Sequence, residues 1–197
     1  GQITGGGSLI KSGTGTLTIT SDLTNSGQRN VQSGRLRIDG APNSASPVSV
    51  AAGATFEKHV ASSGTTESMP GVVTGDGNFE KSGPGILEFS APKAYKGKTI
   101  VTDGVLRLGS STVSPSPSPS PSTLDSSSSV DVRSGATLEL AGNESVASIE
   151  GGGTINLNSN RLIVSPSVDT IFSGTISGAA TGALSKEGTG KLILSGS

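Results

Sequence analysis

Short segments that alternate apolar and polar residues recur along the chain. The pattern Val-x-x-Gly-x-Leu-x-Ile/Leu occurs at residues 31–38 and again at 101–108, and a variant aligns residues 48–57 with 130–139 without a gap. Alternation with period two indicates a strand with one buried face. A glycine after a polar pair indicates a turn that requires a positive φ. The pattern therefore predicts short strands joined by tight turns.

The turn glycines recur at a constant spacing of nineteen positions. This spacing separates Gly15, Gly34 and Gly53, and then Gly85 and Gly104. The next equivalent glycine, Gly135, comes later than the spacing requires, and removal of a dozen positions from the intervening Ser/Pro-rich region restores it. A repeat of this length, with two or three strands in each unit, is typical of a β-solenoid.

The predicted fold class is all-β, a single-stranded right-handed parallel β-helix of about nine rungs, roughly 40–45 Å long at the usual strand spacing. We call one full circuit of the backbone a rung. Residues 1–197 are expected to form one continuous solenoid, with a Ser/Pro-rich loop insertion at 114–122 and an irregular loop-out at 57–74. An additional rung is expected within 149–164, because the second repeat is longer than the first.

A lysine phrase occurs three times. Its copies are Lys11-Ser-Gly13-Thr-Gly15-Thr-Leu17, Lys81-Ser-Gly83-Pro-Gly85-Ile-Leu87 and Lys186-Glu-Gly188-Thr-Gly190-Lys-Leu192. The three lysines could form a column of positive charge. The alternative interpretation, which we favour, is a solvated turn residue that prevents incorrect strand pairing.

The register predicted from the repeat places charges in ladders. If Leu87, Leu106 and Leu138 stack in the core, Glu88, Arg107 and Glu139 follow one another on the outside of adjacent rungs. In the first repeat, Thr18, Arg37 and Glu57 follow one another likewise. Opposite charges stacked across neighbouring strands stabilise a sheet by roughly 0.2–1 kcal/mol. We interpret these ladders as control of register.

Composition excludes several classes of function. The 197 residues include 30 glycines, only 3% aromatic residues and no cysteine, which excludes disulfides and thiolate metal sites. The 14 basic and 15 acidic residues are scattered, so no basic stripe is available for nucleic acid. No apolar run is long enough to span a bilayer. The chain begins and ends within its repeat pattern, and we expect a mature piece or an excised fragment.

Candidate chemistry is sparse, and we assign no catalytic, cofactor-binding or metal-binding residues. The glycine-rich phrases are not followed by a helix signal, so no phosphate-binding loop is expected. The single histidine, His59, is interpreted as an exposed loop residue. Grouped carboxylates and cations remain as an alternative, either for polysaccharide cleavage or, at Asp76-Gly-Asn78, for calcium. These groups are Asp76, Glu80 and Lys81, and Asp103, Arg107, Asp131 and Arg133.

Residues 172–178 and 182–196 resemble the passenger-associated transport repeat of bacterial autotransporters. Residues 5–19 and 75–89 are similar, and the pattern at 31–38 and 101–108 matches the phrase that follows the repeat in that family. The familiar Asn-Thr-Tyr-Thr-Gly phrase is replaced by Ala94-Tyr95-Lys96-Gly97 in one copy. The resemblance implies a secreted, right-handed β-helical protein at a bacterial surface.

Three functions follow as hypotheses. The first is an extracellular shaft or fibre element, non-enzymatic, whose partner could be a second copy of itself stacked end to end or side by side. The second is an adhesin-type module that binds glycans or a host surface. The third is a polysaccharide-degrading β-helix.

Overall fold

A computed structural model describes residues 2–40, 45–109 and 122–196. Within these ranges the chain contains 23 strands and no helix, and every strand pairing is parallel. The longest sheet holds nine strands, which corresponds to about eight steps from rung to rung. The predicted all-β solenoid is confirmed, with close to the predicted number of rungs.

Each complete rung visits three faces in a fixed order. The first face carries two sheets, one before the Ser/Pro insertion and one after it. The five-stranded sheet holds β1 (Leu9–Lys11), β3 (Arg29–Val31), β5 (Val48–Val50), β8 (Val73–Gly75) and β11 (Ala94–Tyr95), and the three-stranded sheet holds β16 (Glu144–Val146), β19 (Arg161–Val164) and β22 (Ala183–Lys186). The second face carries β2 (Thr16–Ile19), β4 (Arg35–Ile38), β6 (Thr55–His59), β9 (Asn78–Ser82), β12 (Thr99–Val101), β14 (Ser129–Val132), β17 (Ser148–Gly151), β20 (Thr170–Phe172) and β23 (Leu192–Leu194). The third face carries β7 (Thr66–Ser68), β10 (Ile86–Phe89), β13 (Val105–Leu108), β15 (Thr137–Leu140), β18 (Thr154–Asn156) and β21 (Thr175–Ser177).

Aliphatic and aromatic side chains stack along the axis because alternate residues of each strand point inward. Leu87 pairs with Leu106 and Leu106 with Leu138, and all three are fully buried. This is the predicted column. Aromatic side chains meet in the middle of the rod, where the Phe79 ring centroid lies 4.8 Å from that of Phe89 and 5.8 Å from that of Phe56.

The segment 57–74, which we predicted to loop out, instead contributes to all three faces. Its first residues complete β6, β7 pairs with β10, and β8 pairs with both β5 and β11. The prediction was wrong because these residues are too polar for the alternating pattern to be recognised. Hydrogen bonds with neighbouring strands hold the segment in extended conformation, although its composition does not indicate strands. Of the predicted Ser/Pro insertion at 114–122, residues 114–121 lie outside the described ranges.

The two complete copies of the repeat lie on different faces. In the first copy Lys11 ends β1 on the first face, whereas in the second copy Lys81 lies in β9 on the second face. Counting along the first face from Lys11, three steps from rung to rung lead to Gly75. Lys81 lies six residues further along the chain, on the second face, where it stacks in the column of Ile19, Ile38 and Lys58. The second copy is therefore displaced by one face around the axis.

Candidate functional site

Each copy of the lysine phrase forms a turn in which the ammonium group binds backbone carbonyls, and we call this unit the lysine turn. Lys11 Nζ donates to the carbonyl oxygens of Ser12 (3.0 Å), Gly13 (2.7 Å) and Ser33 (3.0 Å). The first two belong to its own turn, and Ser33 belongs to the next rung. The ammonium therefore joins two successive rungs.

The second lysine turn repeats this geometry. Lys81 Nζ donates to the carbonyl oxygens of Ser82 (3.0 Å), Gly83 (2.6 Å) and Asp103 (3.0 Å). Its side chain is fully buried, and burial lowers the pKa of Lys81 to about 8. The interpretation of a solvated turn lysine is thus wrong for Lys11 and Lys81, since both are inward-facing and satisfied by carbonyls.

The third lysine turn differs from the other two. Lys186 is exposed, and its Nζ donates to the carbonyl oxygens of Glu187 (2.8 Å) and Gly188 (2.7 Å) in its own turn. Among the described residues, none belongs to a following rung that could play the part of Ser33 or Asp103. The turn itself is unchanged, because Gly188 has φ 70°, close to 77° at Gly83.

A glycine of the following rung sits directly on each covered lysine turn. A Cβ on Gly34 would lie 2.4 Å from the carbonyl oxygen of Gly15, and a Cβ on Gly104 would lie 2.4 Å from that of Gly85. Both glycines also have positive φ, at 66° and 64°. The pattern Val-x-x-Gly is therefore required by contact with the lysine turn below it as well as by its own backbone conformation.

Two further lysines are buried at positions that the sequence pattern does not reveal. Lys58 Nζ lies 2.9 Å from Glu67 Oε2 and donates to the carbonyl oxygen of His59. Lys93 Nζ donates to the carbonyl oxygens of Met69 and Ala91 and lies 4.7 Å from the centroid of the Phe89 ring. Burial lowers the pKa of Lys93 to about 8.

The predicted charge ladder on the third face is present. Glu88, Arg107 and Glu139 occupy successive strands in register, with Arg107 Nη1 3.6 Å from Glu88 Oε2 and Nη2 3.0 Å from Glu139 Oε2. Arg107 Nε also donates to Glu139. The ladder thus links three successive rungs on the outside of the rod.

A denser ladder lies on the second face, where the first repeat meets the second. Arg37 pairs in register with Glu57, as predicted, and Glu57 with Glu80. Arg35 Nη1 lies 2.6 Å from Glu57 Oε2 and 2.7 Å from Glu80 Oε2, so one guanidinium neutralises two stacked carboxylates. Hydrogen bonds and attraction from these carboxylates outweigh burial and raise the pKa of Arg35.

His59 is the last residue of β6 and does not lie in a loop as predicted. Its Nδ1 lies 3.0 Å from Ser82 Oγ, and Ser82 donates a 2.6 Å hydrogen bond to Glu57 Oε1. The serine is thus hydrogen-bonded between the imidazole and the carboxylate, and its hydroxyl proton is committed to Glu57. This arrangement joins β6 to β9.

The grouped charges considered for catalysis or calcium do not assemble. Lys81 points into the core while Glu80, its neighbour in β9, lies outside with Arg35. Arg107 lies on the third face, whereas Asp131 lies on the second, 2.9 Å from Arg133 Nη2. Burial, only partly offset by Arg133, raises the pKa of Asp131. Across 2–40, 45–109 and 122–196, no group of three His, Cys, Asp or Glu residues could hold a metal ion.

A buried carboxylate that the sequence analysis missed is Glu144. It accepts hydrogen bonds from the backbone amides of Thr123 and Leu124 and from Ser122 Oγ, and so holds the last residue of the Ser/Pro insertion and the two residues after it. Burial raises the pKa of Glu144. Its place in the alternating segment Glu144–Val146, where an apolar residue is expected to face inward, was the available signal.

The part of the chain that the structure describes contains no helix capable of crossing a membrane. The first two lysine turns, the charge ladders and the His59–Ser82–Glu57 hydrogen bonds each connect one rung to the next, and so stabilise the stacking of the rungs.

Comparison with known proteins agrees with this architecture. The passenger-associated-transport-repeat family matches residues 9–38 and 79–108, which are the two displaced copies, and the third copy lies outside the matched residues. The Adhesin BmaC autotransporter of Brucella suis biovar 1 (strain 1330) is 34% identical over 146 residues, which is 73% of this chain. The chain spans about 4% of that adhesin's length. No solved structure matches the chain significantly. The resemblance predicted from the sequence is thereby confirmed, and the chain is a β-helical segment of the autotransporter passenger type that contains two passenger-associated transport repeats.

Proposed function

We propose that this chain is a shaft element of a bacterial surface protein, exported from the cell and acting without catalysis. The observation that carries the proposal is the bonding of Lys11 and Lys81 across successive rungs. Each ammonium is committed to carbonyls inside the rod, and the outer carboxylates of the ladders are committed to arginines. These groups hold successive rungs together.

Self-association is part of the same proposal. Parallel strand edges favour the addition of further strands. We propose a second copy of the chain as one partner of the shaft.

A second function is favoured by one patch on the outside of the second face. Ile171 and Ile193 are in register on β20 and β23 and are 56% and 43% exposed. Neighbouring large apolar side chains outside a rod are typical of a binding surface. The similar protein is described as an adhesin, so we carry a glycan- or host-surface-binding module as the alternative to the shaft.

An array of glycans and extracellular-matrix proteins separates the two functions. The wild-type chain is compared with the double variant Ile171→Ser/Ile193→Ser, and Ile163→Ser, a change at an outward position of β19 on the first face, serves as the matched control. For a shaft, all three proteins give the same background signal. Retention of the wild-type chain on defined probes, lost in the double variant and kept in the control, would establish the adhesin instead.

A further inference from the structure

The chain contains three Asp-Gly pairs, at positions 39–40, 76–77 and 103–104. Such a pair is chemically distinctive because the amide nitrogen of the glycine can attack the side-chain carboxyl carbon of the aspartate and close a cyclic imide. Glycine has no Cβ to obstruct this approach, and its backbone adopts conformations that other residues avoid. The three pairs are equivalent as dipeptides, and only their surroundings in the rod distinguish them.

The side chain of Asp103 faces the amide of its own glycine. Gly104 N donates a 2.8 Å hydrogen bond to Asp103 Oδ1. Asp103 is exposed, so its carboxyl group is accessible to water. Two groups react fast when the fold holds their reacting atoms roughly 3–3.5 Å apart. The folded chain thus keeps the nitrogen and the carboxyl group of this pair close together.

In the other two pairs, one of the reacting groups is engaged elsewhere. Arg37 holds both carboxylate oxygens of Asp39, with Nε 2.6 Å from Oδ1 and Nη2 3.4 Å from Oδ2. At positions 76–77 it is the nitrogen that is engaged, since the amide of Gly77 donates to the carbonyl oxygen of Val50 in the preceding rung, at 3.0 Å. The structure therefore singles out the pair at 103–104.

This pair lies at the contact between the second lysine turn and the rung that covers it. The carbonyl oxygen of Asp103 accepts a 3.0 Å hydrogen bond from Lys81 Nζ. The backbone of Gly104 packs so closely on the turn that a Cβ there would lie 2.4 Å from the carbonyl oxygen of Gly85. A change in the length of the main chain at this point would break the contact.

We infer that Asp103-Gly104 is a site of spontaneous covalent modification, where Asp103 converts to isoaspartate and weakens the contact between two successive rungs. In the first step, Gly104 N bonds to Cγ of the protonated Asp103 side chain. The bond from Cγ to the hydroxyl oxygen breaks, and the hydroxyl leaves as water together with the amide proton.

In the second step, water adds to the imide and reopens it. Cleavage between the nitrogen and Cγ restores aspartate, whereas cleavage between the nitrogen and the former main-chain carbonyl carbon gives isoaspartate. One water is lost and one is taken up, so the conversion requires no cofactor. In isoaspartate the main chain runs through Cβ and Cγ and is one methylene longer, and the carbonyl that Lys81 binds has become a free carboxylate outside the main chain.

Incubation of the folded chain in heavy-oxygen water tests the site. Each imide that hydrolyses incorporates one heavy oxygen atom, whichever bond breaks, and peptide mapping by mass spectrometry locates it. Each rate is divided by the rate of the same pair in the urea-unfolded chain. We expect this ratio to be about tenfold higher at Asp103 than at Asp76, because only Asp103 is held against its glycine amide. Equal ratios at the two positions, or no incorporation at Asp103 while the unfolded chain reacts, would overturn the inference.

Asp103→Glu is the matched variant for the effect on the rod, because it keeps the charge but would have to close a larger ring that forms more slowly. The backbone amide of Thr102 donates to the carbonyl oxygen of Lys81 and reports on the contact. In the isoaspartate-containing fraction of the wild type, this amide should exchange its hydrogen about tenfold faster than before incubation, as expected for the loss of one hydrogen bond. The incubated Asp103→Glu chain should show no change. Unchanged exchange in the modified wild type, or equal acceleration in Asp103→Glu, would contradict the proposed weakening.

Discussion

The two complete copies of the lysine turn are nearly identical in local structure but occupy different faces of the rod. Lys11 lies on the first face and Lys81 on the second, with the same three carbonyl contacts at nearly the same distances. The repeat therefore encodes a rung-to-rung contact and not a position around the axis. Position is set by chain length between the copies, and the segment from Lys11 to Lys81 covers three rungs plus one face.

The displacement changes the surroundings of equivalent residues. Leu9 and Phe79 each precede the lysine by two positions, but Leu9 is half-buried at the end of the rod and Phe79 is fully buried in its centre. Truncation of Phe79 to alanine should cost about 3–5 kcal/mol in free energy of unfolding, because it removes a ring that contacts three other aromatic rings. Leu9→Ala should cost about 1 kcal/mol, since partial exposure reduces the area lost from the core. Urea denaturation measures both, and similar losses would contradict the difference in environment.

Gly34 and Gly104, which cover the first two lysine turns, should contribute equally to stability although the turns lie on different faces. Gly34→Ala and Gly104→Ala should each destabilise the chain by about 2–3 kcal/mol, because positive φ strain is combined with a clash against a carbonyl oxygen. Gly135→Ala is the matched control, since its φ is 86° but no atom lies within 4 Å of its Cβ, and it should cost about 1 kcal/mol. Thermal and urea unfolding of the three variants are compared. A loss of stability in Gly135→Ala as large as in Gly34→Ala and Gly104→Ala would show that contact with the lysine turn adds nothing to the cost of positive φ.

The second lysine turn should make the stability of the chain depend on pH. Burial places the folded-state pKa of Lys81 near 8, below the unfolded value of 10.5, so the unfolded chain binds more protons between these values. The free energy of unfolding should therefore rise by about 1–2 kcal/mol from pH 8 to 9.5, with Lys93 adding to the rise in the same sense. Lys81→Met should reduce the slope, and Lys186→Met, at an exposed position, should retain it. Measurements stop below pH 10 because burial raises the pKa of Tyr95. Above the ordinary pKa of tyrosine, this shift lowers the free energy of unfolding as the pH rises. An unchanged slope in Lys81→Met would be inconsistent with a buried ammonium.

The smallest effect is expected at the outer ladder of the second repeat. Arg107→Glu would stack three glutamates and should cost about 1 kcal/mol at low salt and less at high salt, where exposed charges are screened. Arg161→Glu is the control, since Arg161 is 52% exposed and 3.9 Å from Glu187. The melting temperatures of both variants are measured at low and at high salt and compared with that of the wild type. Identical behaviour of the two variants at both salt concentrations would count against the ladder register.

The sequence was sufficient to predict the solenoid, the stacking of Leu87, Leu106 and Leu138, and the ladder through Arg107, because the constant spacing of the turn glycines determines all three. It was not sufficient for Lys11 and Lys81, since a lysine beside glycines is ordinarily solvated and only the next rung supplies its third carbonyl. The sequence also did not predict that the second copy is displaced by one face. It depends on β7 and β8, whose polar residues carry no strand pattern of their own.

The central claim is that the second copy is displaced by one face, and engineered disulfides test it most directly because the chain contains no cysteine. His59 and Ser82 are partners across β6 and β9, and parallel neighbours lie within the reach of a disulfide. Had both copies shared a face, Ser82 would stack instead in the column of Ala51. His59→Cys/Ser82→Cys should oxidise to an intramolecular disulfide, detected by mass spectrometry of the unreduced protein, and Ala51→Cys/Ser82→Cys should remain reduced. The reverse outcome would contradict the displacement.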